Sequence, residues 1–284
     1  MIEIRHLDFG YEDTPLFRNL DIEFRPGNIY GLLGLNGAGK TTLLRLMTGL
    51  LFAGGGGLRS LGYDPAKREP GFLSQVYMLP EEFNVPGITD GQYVAALAPL
   101  YPRFDTAAFE RYVTEFALPR GKKLTALSYG QKKKFLLSFG LATRSGLLVL
   151  DEPSNGLDIP SKGLFRRLVA EAATDDRVVI ISTHQVRDVE SLIDPIVILH
   201  QGRVLLNHGM SEITARIRMS HDASPPAPNA AGLLYCEPGI GGYWTVWDDD
   251  SAAEGQIDLE VLFNTVISAP DVYRSVFAER GKAA

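Results

Sequence analysis

The spacing of hydrophobic residues changes several times along this chain, and each change predicts an element. Residues 1–30 alternate apolar and polar side chains in two short runs, IEIRHLDFGY and LFRNLDIEFRPGNIY. With Pro26-Gly27 as a turn signal, they predict antiparallel strands. The apolar run 29–33 predicts a buried strand that ends at Gly34. From Gly39 the period lengthens. Leu43, Met47, Leu50 and Leu51 recur at helical spacing, with Leu44 beside them. The four glycines 54–57 predict a loop. Residues 90–118 predict helices broken at Pro99 and Pro102, with Phe109, Tyr112, Val113 and Phe116 on one face. Another helix is expected after Ser128, with Phe135, Leu136 and Phe139 as its apolar side. Runs 147–150 and 177–182 predict buried strands, and Pro160 opens a helix between them. Residues 195–206 predict a hairpin turning at Gln201-Gly202.

Fully apolar strands alternating with helices imply a parallel sheet covered on both faces. Residues 220–232, SHDASPPAPNAAG, predict a linker. Strands are expected near 233–236 and 243–247. Leu259, Leu262, Phe263 and Val266 then mark an amphipathic helix. No internal repeat is visible. The expected organisation is a larger unit over residues 1–213 and a small α+β extension over residues 214–284.

Composition narrows the possibilities. At 284 residues the chain is long enough for one or two domains, and 45% hydrophobic with 22% charged residues is ordinary for a soluble globular protein. The balance of 28 basic and 34 acidic residues gives −6, which lacks the basic field of a sequence-independent nucleic-acid binder. No nucleic acid is expected as a partner. The lone Cys236 excludes an intrachain disulfide and fits a reducing compartment. The N-terminus turns polar at once, so no signal peptide is expected. No apolar stretch approaches the ~18 residues of a membrane span.

Two motifs carry chemistry. Residues 34–42, GLNGAGKTT, follow the phosphate-binding pattern of Gly, four residues, then Gly-Lys-Thr. Gly34, Gly37 and Gly39 let backbone N–H groups converge on phosphate oxygens, and the helix that starts there adds its positive end. Lys40 is expected to reach the β- and γ-phosphates and Thr41 to ligate Mg²⁺, with Asn36 and Thr42 in the same cradle. Residues 147–153, LLVLDEP, put two carboxylates at the C-terminal end of a buried strand, the end that faces ligands in open α/β sheets. Asp151 fits the Mg²⁺-associated acid and Glu152 the base that activates water. The competing reading of Asp151-Glu152, a solvated turn, loses weight beside the phosphate loop.

With LSYGQ at 127–131 added, the chain resembles the nucleotide-binding subunits of the ATP-binding cassette (ABC) family. Shorter elements follow in that family's order over roughly residues 1–210. Tyr11 sits where an aromatic stacks on adenine. Gln75, in FLSQV, sits at the Q-loop, with a place near the metal and the attacking water. Residues 154–158, SNGLD, resemble the D-loop and include Asp158. His184, in STHQ, resembles the switch histidine. The resemblance implies a P-loop NTPase parallel-sheet core with an antiparallel β subdomain and an inserted helical subdomain at about 76–145. It further implies ATP and Mg²⁺ as cofactors, a head-to-tail homodimer or heterodimer of cassettes, and Ser128, Gly130 and Gln131 contacting the opposite subunit's nucleotide. The power stroke would pass to a separate membrane-spanning subunit, through a surface within 76–104. That places the chain in the cytoplasm, peripheral on the inner face of the membrane, in a bacterial exporter. A cassette ATPase acting on ribosomes or nucleic acid is the alternative. A small-molecule kinase or GTPase does not account for LSYGQ and the C-terminal histidine.

Local chemistry supports part of this without the family. Ser128 with Gln131 three residues on is a capping box that would open the next helix toward an anion. The family's commonest signature has glycine where this chain has Tyr129. Lys132, Lys133 and Lys134 oppose the dipole at the start of that helix, so a solvated charged face is expected there. Attraction of the opposing subunit's ATP is the sharper reading. Asp248, Asp249 and Asp250 predict a solvated turn, without the spacing of a calcium loop.

Overall fold

The computed structural model describes residues 1–12, 14–227, 230–249 and 257–278. The chain begins with β1 (Ile2–Tyr11), β2 (Thr14–Phe24), β3 (Asn28–Leu33), α1 (Lys40–Met47), β4 (Gly55–Ser60), α2 (Pro70–Leu73) and β5 (Val76–Leu79). Three helices follow, α3 (Asp90–Leu97), α4 (Thr106–Glu115) and α5 (Tyr129–Ala142). Next come β6 (Leu147–Asp151), α6 (Ile159–Ala172), β7 (Val178–Thr183), β8 (Ile196–His200) and β9 (Arg203–His208). The C-terminal part holds α7 (Met210–Thr214), β10 (Ile217–Asp222), β11 (Leu233–Gly239), β12 (Gly242–Asp248), α8 (Leu259–Ser268) and α9 (Pro270–Ala278).

The central sheet has the order β5-β6-β7-β3-β8-β9, parallel except for the β9 edge. Its inner strands are apolar on both faces because both faces are covered. Leu147 and Val149 pack on one side with Leu43, Met47 and the strands of the first sheet. Leu148 and Leu150 pack on the other with Phe135, Phe165 and Leu168. The first sheet, β2-β1-β4, is antiparallel.

Several boundaries differ from the sequence expectation. The glycine run is not all loop, since Gly55, Gly56 and Gly57 belong to β4 and pair with β1. At Gly56 a Cβ would come within 2.2 Å of the His6 carbonyl, and its φ is +83°. Glycine here permits the close approach of two strands at the bulge on β1. Helix α1 stops at Met47. The Leu50 N–H returns to the Arg45 carbonyl (2.8 Å) and the Gly49 N–H to Leu46 (3.1 Å), which closes the helix end and leaves Leu50 beyond it and exposed. Val76–Leu79, placed in the helical subdomain by the family resemblance, is instead a strand of the central sheet, and the helices of the insertion begin at Asp90. Ser220 to Asp222 lie in β10, so the connecting segment is shorter than 220–232, and its residues 228–229 lie outside the described residues.

The helical insertion has an aromatic interior. Phe139 of α5 lies 5.1–6.4 Å, centroid to centroid, from Tyr77, Tyr93, Tyr101, Phe104 and Phe109. Arg177 is buried just before β7 and donates to the carbonyls of Gly140 and Ala172, at the C-terminal ends of α5 and α6. The negative ends of two helices thus face one guanidinium. Burial still pulls its pKa down to about 10.

The C-terminal sheet β10-β12-β11 and helices α8 and α9 bury Ile217, Val246, Leu262, Val266 and Tyr273 in the same core as Ile196 and Ile198. The extension is packed on the cassette and shares its interior. Among the described residues no helix is long and apolar enough to cross a membrane.

Phe139 is fully buried in five ring contacts, so Phe139→Ala should destabilise the chain by ~3–5 kcal/mol. Urea unfolding followed by far-UV circular dichroism reads this directly, and an unchanged midpoint would contradict the packing.

Candidate active site

The loop between β3 and α1 is shaped by glycines for different reasons. Gly37 and Gly39 hold φ of +79° and +105°, where side chains are strained. Gly39 also abuts Phe17, whose ring would lie 2.9 Å from an added Cβ. Gly39 is the N-cap of α1 and supplies no side-chain hydrogen bond to the helix. The first N–H groups of α1 therefore open onto a cavity of about 390 Å³, lined by Tyr11, Asn36, Gly37, Gly39, Lys40, Thr41, Thr42, Glu81, Asp151 and Glu152 among others. An uncapped helix start beside a lysine is a ready anion site. The Lys40 ammonium is nearly buried and donates to the carbonyls of Gly34 (2.7 Å) and Leu35 (3.3 Å). Burial lowers its pKa, and Glu152, Asp151 and Glu81 act against that shift.

The opposite wall comes from the ends of β6 and β7. Asp151 Oδ2 accepts from the Thr41 hydroxyl at 2.8 Å, and its other oxygen accepts from Ser182. Glu152 is 3% exposed. Its carboxylate accepts from Thr183 Oγ1 (3.0 Å) and the His184 N–H (3.0 Å), and His184 Nδ1 lies 2.7 Å away. Glu152 itself is left-handed, with φ +47°. A carboxylate hydrogen-bonded to a neighbouring imidazole, across a cavity from an uncapped helix start, has the parts of a general base. Tyr11 is half exposed, and its hydroxyl lies 3.0 Å from Thr42 Oγ1, so the ring flanks the phosphate loop.

The signature turn lies elsewhere on the surface and does not line this cavity. The capping box forms as the sequence predicts. Ser128 Oγ accepts from the Gln131 N–H (3.3 Å), and Gln131 Oε1 accepts from the Ser128 N–H (3.1 Å). Gly130 packs close to the Gly156 carbonyl. Tyr129 folds away from the helix start. Its ring stacks on Phe83 (5.3 Å, 17°) and its hydroxyl donates to the Glu81 carbonyl at 3.0 Å. The departure from glycine thus has a seat of its own.

Two expectations need correction. Lys132 to Lys134 do not form a solvated face. Lys133 is fully buried and donates to the carbonyls of Glu152 (2.6 Å) and Asn155 (2.9 Å), while Lys134 bonds Asp158 at 3.0 Å. Helical geometry turns successive side chains by about 100°, so three adjacent lysines cannot share one environment. Gln75 is the second case. It precedes β5, and its side chain donates to the Gly71 carbonyl at 2.8 Å. It is at the N-terminal end of the strand, whereas the cavity is at the C-terminal ends. The residue brought to the cavity is Glu81, whose carboxylate accepts from Asn155 Nδ2 at 3.1 Å. The signal for Glu81 was present: Pro80-Glu81 follows the apolar strand VYML much as Asp151-Glu152 ends LLVLDEP.

Asp158 does not line the cavity. It caps α6 by accepting from the Ser161 N–H (2.8 Å), and hydrogen bonds to Ser161, then Lys134, hold its pKa down at about 2. In the aspartate run near the C-terminus, Asp249 accepts from Arg218 at 2.8 Å, and Asp250 lies outside the described residues. Among the described residues no group of three or more His, Cys, Asp or Glu forms a metal-binding cluster.

Comparison with known proteins agrees with this geometry. Residues 17–155 match the family model described as ABC transporter. The chain is 30% identical over 248 residues to the ABC transporter ATP-binding protein YtrB of Bacillus subtilis (strain 168), covering 83% of this chain and 85% of that protein. It is 29% identical over 212 residues to the Nod factor export ATP-binding protein I of Cupriavidus pinatubonensis, covering 72% of this chain and 64% of that protein. A solved structure of an ATP-binding subunit of an ABC transporter is similar with a TM-score of 0.69 and 26% identity, over 75% of this chain and 91% of that one. The phosphate loop, the paired carboxylates and the match over 85% of YtrB lead to one assignment: this chain belongs to the ABC transporter family, among its ATP-binding subunits, which are ATPases.

Proposed function

We propose that this chain closes with a second cassette, a copy of itself or a different chain, around ATP and Mg²⁺ and so drives a separate membrane-spanning exporter subunit. The observation that carries this reading is the single cavity in which the uncapped start of α1 and Lys40 face Asp151 and Glu152. Tyr11 would flank the adenine, and the loop from Gly34 to Thr42, with Asn36, Gly37 and Gly39, would hold the phosphates. Thr41 Oγ1 and Asp151 Oδ2 are hard oxygen donors 2.8 Å apart, a set that suits Mg²⁺. When bound, the ion would neutralise charge on the β- and γ-phosphates. Glu152 would take the proton of the attacking water, and His184 would orient that carboxylate. Ser128 and Gly130, outside this chain's own cavity, are free to meet the nucleotide of the opposing cassette, with Gln131 holding the Ser128 cap. Asp158 would act in the same interface from the D-loop.

For the membrane partner, the surface that fits is an apolar groove of about 570 Å³ between α1, α2 and β5, lined by Leu50, Pro70, Leu73, Met78, Leu100 and Tyr101 among others. Leu50 and Leu100 are more than half exposed there. The groove includes part of 76–104, the segment singled out from sequence. Through this contact the chain would sit at the cytoplasmic face of the membrane. Export as the direction is supported by similarity to a relative named for Nod factor export.

Glu152→Gln should keep ATP binding and lower turnover by ~10²–10⁴-fold, the usual contribution of a positioned base. Rapid turnover by this variant would remove Glu152 from that role. Lys40→Ala should instead weaken nucleotide binding itself, measured by fluorescent-nucleotide titration. Affinity capture of the tagged chain from detergent-solubilised native membranes should recover a polytopic subunit, and Leu100→Asp should lose it without loss of basal hydrolysis. Co-recovery of an extracellular solute-binding protein would overturn the export direction. Recovery with ribosomes alone would favour the non-transport reading.

A further inference from the structure

Among the described residues no carboxylate pairs directly with Lys133, which carries its charge into the interior. It lies on α5, just past the capping box, with no solvent exposure. Among the described residues its hydrogen bonds go to two main-chain carbonyls, those of Glu152 at 2.6 Å and Asn155 at 2.9 Å. The Tyr129 ring stands 5.7 Å from the ammonium and closes one side. Burial lowers the pKa of Lys133 to about 8, against the pull of Glu81, Glu152 and Asp151. A buried cation whose hydrogen bonds go to main-chain carbonyls is costly to keep, and a methionine would fill the same space.

The carbonyls it holds belong to an unusual stretch of backbone. Glu152 has φ +47°, in the left-handed region that a non-glycine residue occupies only when its surroundings enforce it. Its N–H is fixed to the Ser182 carbonyl at 3.0 Å and its carboxylate to Thr183 and His184. On the carbonyl side, besides the Asn155 N–H at 3.3 Å, the strong partner is the Lys133 ammonium. Charge-assisted bonds are shorter and stronger than neutral ones. We propose that Lys133 is a positioning residue for hydrolysis: by gripping the carbonyls of Glu152 and Asn155 it sets the left-handed turn from which the Glu152 carboxylate faces the phosphate cavity. Because Lys133 stands on the helix that Ser128 opens, a shift of that helix pulls on the turn that bears this chain's own base. The inference rests on Glu152 acting as that base.

The test compares Lys133→Met, which keeps length and removes charge and donors, with Lys133→Arg, which keeps both. Amide hydrogen exchange over residues 150–158 of the full chain without nucleotide reads the turn independently of catalysis. The Met variant should exchange faster there and not in the α4 or α6 core. Steady-state hydrolysis should show kcat reduced by about 10²-fold, the usual penalty for a misplaced group. KM for ATP should stay within about threefold, since ground-state binding is untouched. The Arg variant should restore protection and most of kcat. Unchanged exchange in the Met variant would overturn the proposal, as would faster exchange with unchanged kcat. Equal losses in the Met and Arg variants would also overturn it, because shape and not the ammonium would then hold the turn. If the Met variant does not fold, Lys133→Gln replaces it in both measurements. If Glu152→Gln turned over normally, the failure would lie in the assignment of the base, and the exchange result would still report on the turn.

Discussion

The parallel register of β3, β6 and β7 is the constraint on which the rest of the site depends. Leu33 pairs with Thr183, and Asp151 pairs with Ser182, so the three strands end at the same level. Whatever leaves those ends arrives in one place: the phosphate loop from β3, Asp151-Glu152 from β6, Thr183-His184 from β7. Thr41 and Asp151 are 110 residues apart in sequence and 2.8 Å apart in space for this reason alone. A slip of one residue would turn every side chain of a strand to the other face. It would separate Ser182 from Asp151 and Thr183 from Glu152 together. The register is held because each face packs against its own set of side chains, Leu43 and Met47 on one side and Phe135, Phe165 and Leu168 on the other, and a slip would exchange the two.

That arrangement concentrates interior charge around one end of the sheet. Lys40, Lys133, Asp151 and Glu152 are all nearly or fully buried. Their first partners are hydroxyls, N–H groups and main-chain carbonyls, and few are opposite charges. Such groups orient charge without neutralising it, as chemistry on a highly charged phosphate requires. A third buried cation, Arg177, shows the contrasting use. Placed between the C-terminal ends of α5 and α6, it fastens the helical insertion to the sheet far from the cavity.

The C-terminal extension has a structural claim on the same site. Helix α8 packs near the turn that follows His184, where Val186 and Val189 share a core with Leu259 and Leu262. Arg187 and Glu260 also meet at the surface, 2.7 Å apart. An exposed pair of this kind contributes little by itself. The apolar contact is what ties the extension to the cassette.

Much of this molecule was legible in its sequence. Glycines with Gly-Lys-Thr, an apolar run ending in Asp-Glu, and Ser with Gln three residues on are local patterns whose chemistry and geometry are set within a few residues. They predicted the phosphate loop, the carboxylate strand and the capping box, and all three stand where expected. The errors came where location depends on which end of a strand a residue occupies, or on which side of a helix a neighbour lies. Gln75 and Glu81 flank the same short strand, yet the parallel direction of the sheet sends one away from the cavity and the other into it. Lys133 and Lys134 adjoin in sequence, yet a turn of about 100° per residue buries one against Glu152 and leaves the other with Asp158. The glycines of β4 read as loop because their pairing partner, the bulge at His6, lies some fifty residues away. Sequence by itself determined which chemistry this chain carries, because motifs are made of neighbours. Tertiary structure alone decided which residues share the cavity, because burial and strand direction are properties of contacts between distant parts of the chain.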